Sequence, residues 1–336
     1  MNLQPLTTTS IGSFPRPSWL AQTDRSRATF RLEGKALREA QDDATLLVLR
    51  EQEALGLDIL TDGEQRREGF IFHMCRTWDG VDLVNQAEKP VYRRRNTPRV
   101  VPRITGKIRR RSPATVDDVS FAKGHTAKPV KMALAGPMTV IDSALNEGYA
   151  DEAEMAMDIA AAINAELLDL QAAGCDIFQL DEPAMTRYHE KVMAYGAAAL
   201  DRCLQGVTVP TIVHLCYGYP GGAALQHHYT YPELLDRLMQ TRIAGFTVEF
   251  ARSNYDPAIL KPYRDRLIMF GCIDPGNTPA PTVDAVKRRI AAALDYLDPR
   301  RLLLAPDCGL MTITRPLARE KLGVMVAAAR DLRRGL

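Results

Sequence analysis

A histidine, two cysteines and a glutamate in the C-terminal half of the sequence have the types and the placing of a metal-ligand set. They are His214 and Cys216 in TIVHLCYG, Glu249 in GFTVEFA and Cys308 in LLLAPDCG. Each stands at or near the end of a short apolar run that reads as a buried strand. Side chains two apart on an extended segment point to the same face, so His214 and Cys216 can reach one ion. Glu249 and Cys308 must come from other strands. One nitrogen, two sulfurs and one oxygen make a mix suited to Zn²⁺. His-x-Cys alone is a weak signal; it gains weight because Glu249 and Cys308 occupy equivalent places after their own runs. Two thiolates and a carboxylate leave a divalent ion with net negative charge. Such a site activates water poorly but suits a substrate thiol, held as thiolate at neutral pH. Glu249, the hardest ligand, is the one expected to loosen when a further sulfur arrives. The chemistry expected is alkyl transfer to a thiol.

The elements that must position these residues are legible as eight apolar runs of strand length: 6–14, 58–64, 130–136, 177–182, 211–217, 245–250, 267–273 and 302–307. Between most of them lie helical patterns. Residues 36–56 and 151–174 carry apolar residues at three- and four-residue spacing, and 231–245 and 281–297 repeat the theme. Eight β–α units in this length predict a (β/α)₈ (TIM) barrel, with a doubly wound sheet as the alternative. The barrel is preferred because polar residues cluster at nearly every strand end: Ser13, Glu64, Asp181, Glu182, His214, Cys216, Glu249, Asp274, Asp307 and Cys308. A barrel focuses all of these on one mouth. Residues 1–336 are read as one catalytic domain. Residues 85–129 show no clear helix and are read as an inserted β-hairpin or small meander between the second and third strands. This segment is rich in arginine from Arg93 to Arg111. It is either a solvated, salt-bridged edge or a basic flap for an anionic ligand or an acidic partner.

Composition sets the class. The 336 residues are 46% apolar and 25% charged with a net charge of +2, as in a globular protein with ample core. No global field argues for nucleic acid or for a membrane surface. The N-terminus lacks the layout of a secretion signal and no apolar run spans a bilayer, so a cytoplasmic enzyme is expected. The six cysteines are scattered, unlike a disulfide scaffold, and most are expected to be reduced core residues.

TTTSIGSFPRP, DILTDGEQRR, LAGPMTVI, IFQLDEPAM, HLCYG, VEF and PDCGL follow one another along this chain. In that order they resemble the catalytic barrel of cobalamin-independent methionine synthase, from about residue 7 to the C-terminus. The resemblance implies a (β/α)₈ barrel whose catalytic zinc is held by His214, Cys216, Glu249 and Cys308. It implies transfer of a methyl group to homocysteine to give methionine. The backbone from Ile11 to Ser13 would meet the substrate carboxylate, and Glu64 and Asp181 the amino group. On the residues alone, Asp181 and Glu182 read equally well as strand-end carboxylates capping a helix or pairing with arginine.

The departures concern the methyl donor. The family's two-barrel members hold folate with an N-terminal barrel for which 336 residues leave no room. A tryptophan that stacks on the pterin is replaced at about Asp142. A histidine suspected as proton donor is replaced at about Gly276, although the neighbouring Asp274 remains. His227 and His228 are candidate replacement acids, or simply surface residues at a helix start. The cluster Tyr217, Tyr219, Tyr229 and Tyr231 either lines a pocket or covers the rim. The donor is expected to be methyltetrahydrofolate or a methyl-corrinoid, the latter delivered by a partner protein. Two rivals stand beside this reading. One is zinc-dependent alkylation of another thiol such as coenzyme M; the other is a non-catalytic barrel with structural zinc and a docking flap.

Overall fold

The computed structural model describes residues 3–22, 28–91, 97–217, 231–253 and 255–336. The chain divides into two compact units, each assembled from separate stretches of sequence.

The first comprises Met1–Arg66, Phe121–Ala133 and Ala244–Leu336. Its strands Gly245–Glu249, Leu267–Ile273 and Leu302–Pro306 run parallel. Parallel bridges extend the order from Leu304 to Thr8, from Thr9 to Ile59 and from Leu60 to Val130. Strands covered on both faces need apolar residues at every position rather than alternately, and GFTVE and LLLAP are buried throughout. Helices cover them. Gly34–Leu55 buries Gln41, Ala44, Thr45, Val48, Leu49 and Gln52 along one face. It stops at Gly56, whose φ of 87° is a left-handed conformation that favours glycine. Buried Gln52 then holds the backbone of Thr61, just past the bridges at Ile59 and Leu60. Its Nε2 donates to the Thr61 carbonyl at 2.8 Å and its Oε1 accepts from the Thr61 N–H at 3.1 Å. Helices Val283–Leu294 and Arg315–Arg333 begin at Thr282 and Thr314, whose hydroxyls accept from Ala285 and Leu317.

The second unit comprises Arg67–Ser120 and Leu134–Ile243. Strands Ile177–Asp181 and Thr211–His214 pair in parallel with Asp181 opposite His214. Helix Glu152–Ala172 starts at Asp151, which accepts from Ala153, and buries Met155, Ile159, Ile163, Leu167 and Leu170. Strands Trp78–Val91 and Thr97–Arg110 form an antiparallel ribbon that Leu145–Asn146 joins. The ribbon begins before residue 85, and Val116–His125 is a helix where none was expected. That helix is short, and its two fully buried apolar residues, Val119 and Ala122, set up no long periodic face.

Several basic residues of the ribbon are paired. Arg103 Nε lies 2.8 Å from Glu147, Lys107 3.5 Å from Asp158 and Arg111 3.1 Å from Asp79. Arg93 to Arg95 lie outside the described residues. Arg110 reaches Glu166 at 2.8 Å and Asp169 at 2.5 Å. Glu166 is buried and also accepts from Ala114 N, Thr115 N and the Thr115 hydroxyl at 2.8 to 3.0 Å. Removing one partner of a buried ion pair strands the other. Glu166→Ala should therefore cost about 3–5 kcal/mol in urea titration; a cost below about 1 kcal/mol would show the network to be idle. No helix among the described residues is long and apolar enough to cross a membrane.

Candidate metal centre and acceptor site

His214 ends its strand with its side chain opposite Asp181, and Nδ1 lies 3.1 Å from Asp181 Oδ1. Gln179, two residues before Asp181 on the same face, donates to that oxygen at 2.6 Å. A carboxylate on Nδ1 selects the tautomer whose lone pair sits on Nε2, the arrangement that orients a metal-binding imidazole. Cys216, two residues on, is also buried. Glu182 is used differently. One oxygen accepts from Met138 N at 3.0 Å, the other from Thr139 N at 2.9 Å and Thr139 Oγ1 at 2.8 Å. These groups form the first turn of helix Pro137–Asp142, so Glu182 caps a helix start while its neighbour Asp181 holds a histidine. Burial pushes Glu182 up to about 8, against the pull of those three hydrogen bonds. Gly136 leaves the necessary space, since a Cβ there would stand 2.4 Å from Glu182 Oε1.

In the first unit the candidate acceptor residues gather at the Ile11-Gly12-Ser13 turn. Thr61 Oγ1 donates to the Gly12 carbonyl at 3.1 Å, and Phe14 N donates to Gly63 at 3.1 Å. Glu64 lies against the turn: a Cβ on Gly12 would stand 2.7 Å from Glu64 Oε1. Glu64 has a φ of 56°, which costs a non-glycine residue about 1–3 kcal/mol. Asp62 Oδ1 accepting its N–H at 3.1 Å and Arg16 donating to its carbonyl at 2.8 Å hold it there. Cys308-Gly309 reaches the same turn. Leu310 N donates to Ser13 O at 3.0 Å, and a Cβ on Gly309 would stand 2.1 Å from Ser13 Oγ.

Glu249 ends strand Gly245–Glu249 fully buried. The backbone that follows it is tied to the residue before Cys308. Asp307 Oδ1 accepts from Phe250 N at 3.1 Å and Ala251 N at 3.0 Å, and Oδ2 accepts from Arg252 N at 2.8 Å. Burial pushes Asp307 up to about 7, and the three N–H groups pull the other way. Sequence reading gave Asp307 a place at a strand end and no further role. The available signal was its position immediately before a candidate ligand and a glycine. Asp274 organises its own loop, accepting from Gly276 N at 2.7 Å and from Thr278 Oγ1 at 3.1 Å. His227, His228, Tyr219 and Tyr229 lie outside the described residues. Tyr217 and Tyr231 are buried with ring centres 4.9 Å apart, and Tyr231 donates to the Leu215 carbonyl at 3.0 Å.

Among the described residues, His214, Cys216 and Cys308 offer ligand atoms that all lie within 4.8 Å of one another. That group contains three of the four ligands expected from sequence, and Glu249 is not among them. The donor set of one imidazole and two thiols suits a soft or borderline divalent metal. Two of the other thiols are different in kind: burial pushes Cys75 and Cys272 up to about 12, which keeps them protonated in the core.

Over residues 6–331 the chain matches the family model described as the catalytic domain of cobalamin-independent synthase. The chain belongs to this family. It is 32% identical over 325 residues to a methionine synthase of Sulfolobus acidocaldarius, covering 96% of this chain and 90% of that one. Its identity to a methionine synthase of Pyrococcus abyssi is also 32%, over 338 residues, covering 100% and 95%. A solved B12-independent methionine synthase from Shewanella sp. W3-18-1, in complex with selenomethionine, superposes with a TM-score of 0.91 at 29% identity over 99% of both chains. Within the family framework the two departures read from sequence have definite surroundings here. Asp142 accepts from the Tyr188 hydroxyl at 2.9 Å, and the Gly276 N–H is bound by Asp274.

Proposed function

We propose that this chain is a zinc-dependent S-methyltransferase, a single (β/α)₈ barrel over residues 1–336 that methylates homocysteine to methionine. The observation that carries the reading is the approach of three ligand atoms, from His214, Cys216 and Cys308, to within 4.8 Å in a member of this family. The residues fit the ion: the imidazole is oriented by Asp181, and Glu249 is the fourth ligand of the proposal. Zinc bound there supplies the Lewis acidity that brings a thiol pKa down to neutrality. The turn from Ile11 to Ser13 receives the acceptor's carboxylate, while Glu64 and Asp181 receive its ammonium. These contacts aim the sulfur along the line of the donor's methyl bond. The sulfur lone pair forms the new C–S bond as the methyl–donor bond breaks, and that electron pair leaves with the donor. Asp274, His227 and His228 are the candidate sources of a proton for the departing donor.

The Shewanella protein's bound selenomethionine is the selenium analogue of the product proposed here, which supports an amino-acid acceptor. The proposed donor is a methylated folate, with a partner-borne methyl-corrinoid as its competitor. Single-turnover transfer to homocysteine, run in parallel with folate monoglutamate, folate polyglutamate and methylcobalamin, tests this. Methionine should form from at least one folate; formation from none of the three would overturn the reading.

Coenzyme M is the rival acceptor, and Glu64 argues against it: a sulfonate needs cations where this carboxylate stands. Calorimetric titration of the zinc-loaded protein should show homocysteine binding and no binding of coenzyme M. The reverse pattern would transfer the proposal to the sulfonate. A purely structural zinc predicts an X-ray absorption edge unchanged by homocysteine, whereas the present reading predicts an added sulfur neighbour.

A further inference from the structure

Strand Lys131–Ala135 opens with a lysine that has no exposed surface at all. A buried ammonium costs several kcal/mol unless hydrogen bonds and opposite charge offset it. Its Nζ donates to the Ile11 carbonyl at 2.7 Å. That carbonyl belongs to the peptide joining Ile11 to Gly12, the start of the turn assigned above to the acceptor's carboxylate. A trans peptide points its C=O and N–H in opposite directions. Fixing the Ile11 oxygen on Lys131 therefore also fixes which way the Gly12 N–H faces. It further cancels the negative end of that peptide dipole, leaving the turn a better host for an anion. Glu64 Oε1 lies close to the same dipeptide, 2.7 Å from where a Gly12 Cβ would stand. A cation and an anion thus both stand at one turn, and a zwitterion carries the two complementary charges.

We infer that Lys131 is a positioning residue that gives the acceptor site its selectivity for a thiol carrying an α-carboxylate. The inference rests on the amino-acid reading of the site given above. Lys131 acts through the Ile11–Gly12 peptide, so its removal should be felt in binding of the carboxylate and little in the methyl-transfer step.

The test compares homocysteine with 3-aminopropane-1-thiol, which keeps the amine and the thiol and lacks the carboxylate. Zinc-loaded wild type should bind homocysteine at least tenfold more tightly. In Lys131→Met the KM for homocysteine should rise at least tenfold and kcat should stay within about threefold. The KM for the decarboxylated thiol should be unchanged, so the preference collapses. Equal losses for both thiols would reduce Lys131 to a structural residue. The wild-type comparison stands even where Lys131→Met does not fold: equal affinity for the two thiols overturns the role of Lys131. Absence of homocysteine binding by wild type overturns the functional reading itself, so the two failures are distinguishable.

Discussion

Cys308→Ser is expected to remove the proposed zinc and, with it, methyl transfer to homocysteine. A serine hydroxyl stays protonated where a thiolate ligates, so one of the two soft donors that define the site is lost. The ligand atoms of His214, Cys216 and Cys308 lie within 4.8 Å of one another, and without Cys308 the proposed site keeps a single sulfur donor. Lewis-acid assistance is worth several kcal/mol, so activity should fall roughly 10³-fold or more. Zinc content by elemental analysis, read beside single-turnover methionine formation, gives both numbers on one sample. Cys272→Ala is the control. Cys272 is fully buried, its Sγ faces the Ala305 carbonyl, and burial holds its thiol protonated. That variant should keep its zinc and lose only packing energy. Full activity in zinc-free Cys308→Ser would sink the mechanism.

The strand ends were legible because parallel strands covered on both faces are continuous apolar runs, and a polar residue marks where each emerges. HLC, VEF and PDCG stand out for that reason; strands Gly245–Glu249 and Leu302–Pro306 stop just short of the ends of their runs, whereas Thr211–His214 stops well before the end of the run 211–217. Interactions made with the backbone were legible at most as a class: capping of a helix was one reading of Asp181 and Glu182, with nothing to say which of them does it. Asp181 and Glu182 are adjacent carboxylates with one environment in the sequence and two in the fold. Strand alternation turns Asp181 to His214 and Glu182 to the first turn of helix Pro137–Asp142. Lys131 reads as an ordinary polar start to a strand; only the fold reveals that its ammonium is spent on a carbonyl 120 residues away. Helix Val116–His125 escaped notice because arginine-rich strand sequence precedes it, and because its anchor is distant: Glu166 receives Thr115 just before its first turn. For Glu182, Lys131 and Glu166 the sequence carries the side chain while main chain brought close by topology supplies a partner.

Asp307→Asn is the change where that hidden main-chain role should have its largest effect. Both carboxylate oxygens accept: Oδ1 from Phe250 N and Ala251 N, Oδ2 from Arg252 N. Asparagine keeps the size and supplies one acceptor oxygen. Whichever way its amide is turned, an NH₂ group confronts at least one backbone N–H, and a buried donor left unmet costs about 1–3 kcal/mol. The segment set loose begins one residue after Glu249, and Asp307 itself immediately precedes Cys308. The substitution therefore disturbs two proposed ligands without removing either. Losses of such supporting groups run to about 10–100-fold in metal affinity or activity. Zinc affinity by chelator competition should fall within that range, and kcat/KM by roughly 10²-fold. Gly271 offers an independent route to the same state, because a Cβ there would stand 2.2 Å from Asp307 Oδ1. Gly271→Ala should accordingly displace the carboxylate and reproduce a weaker form of the defect with all ligands and Asp307 intact. Wild-type zinc affinity in both variants would mean that Glu249 and Cys308 are held by their strands alone. Loss in both, with secondary structure unchanged by circular dichroism, would identify one carboxylate as the link that sets the two strand ends.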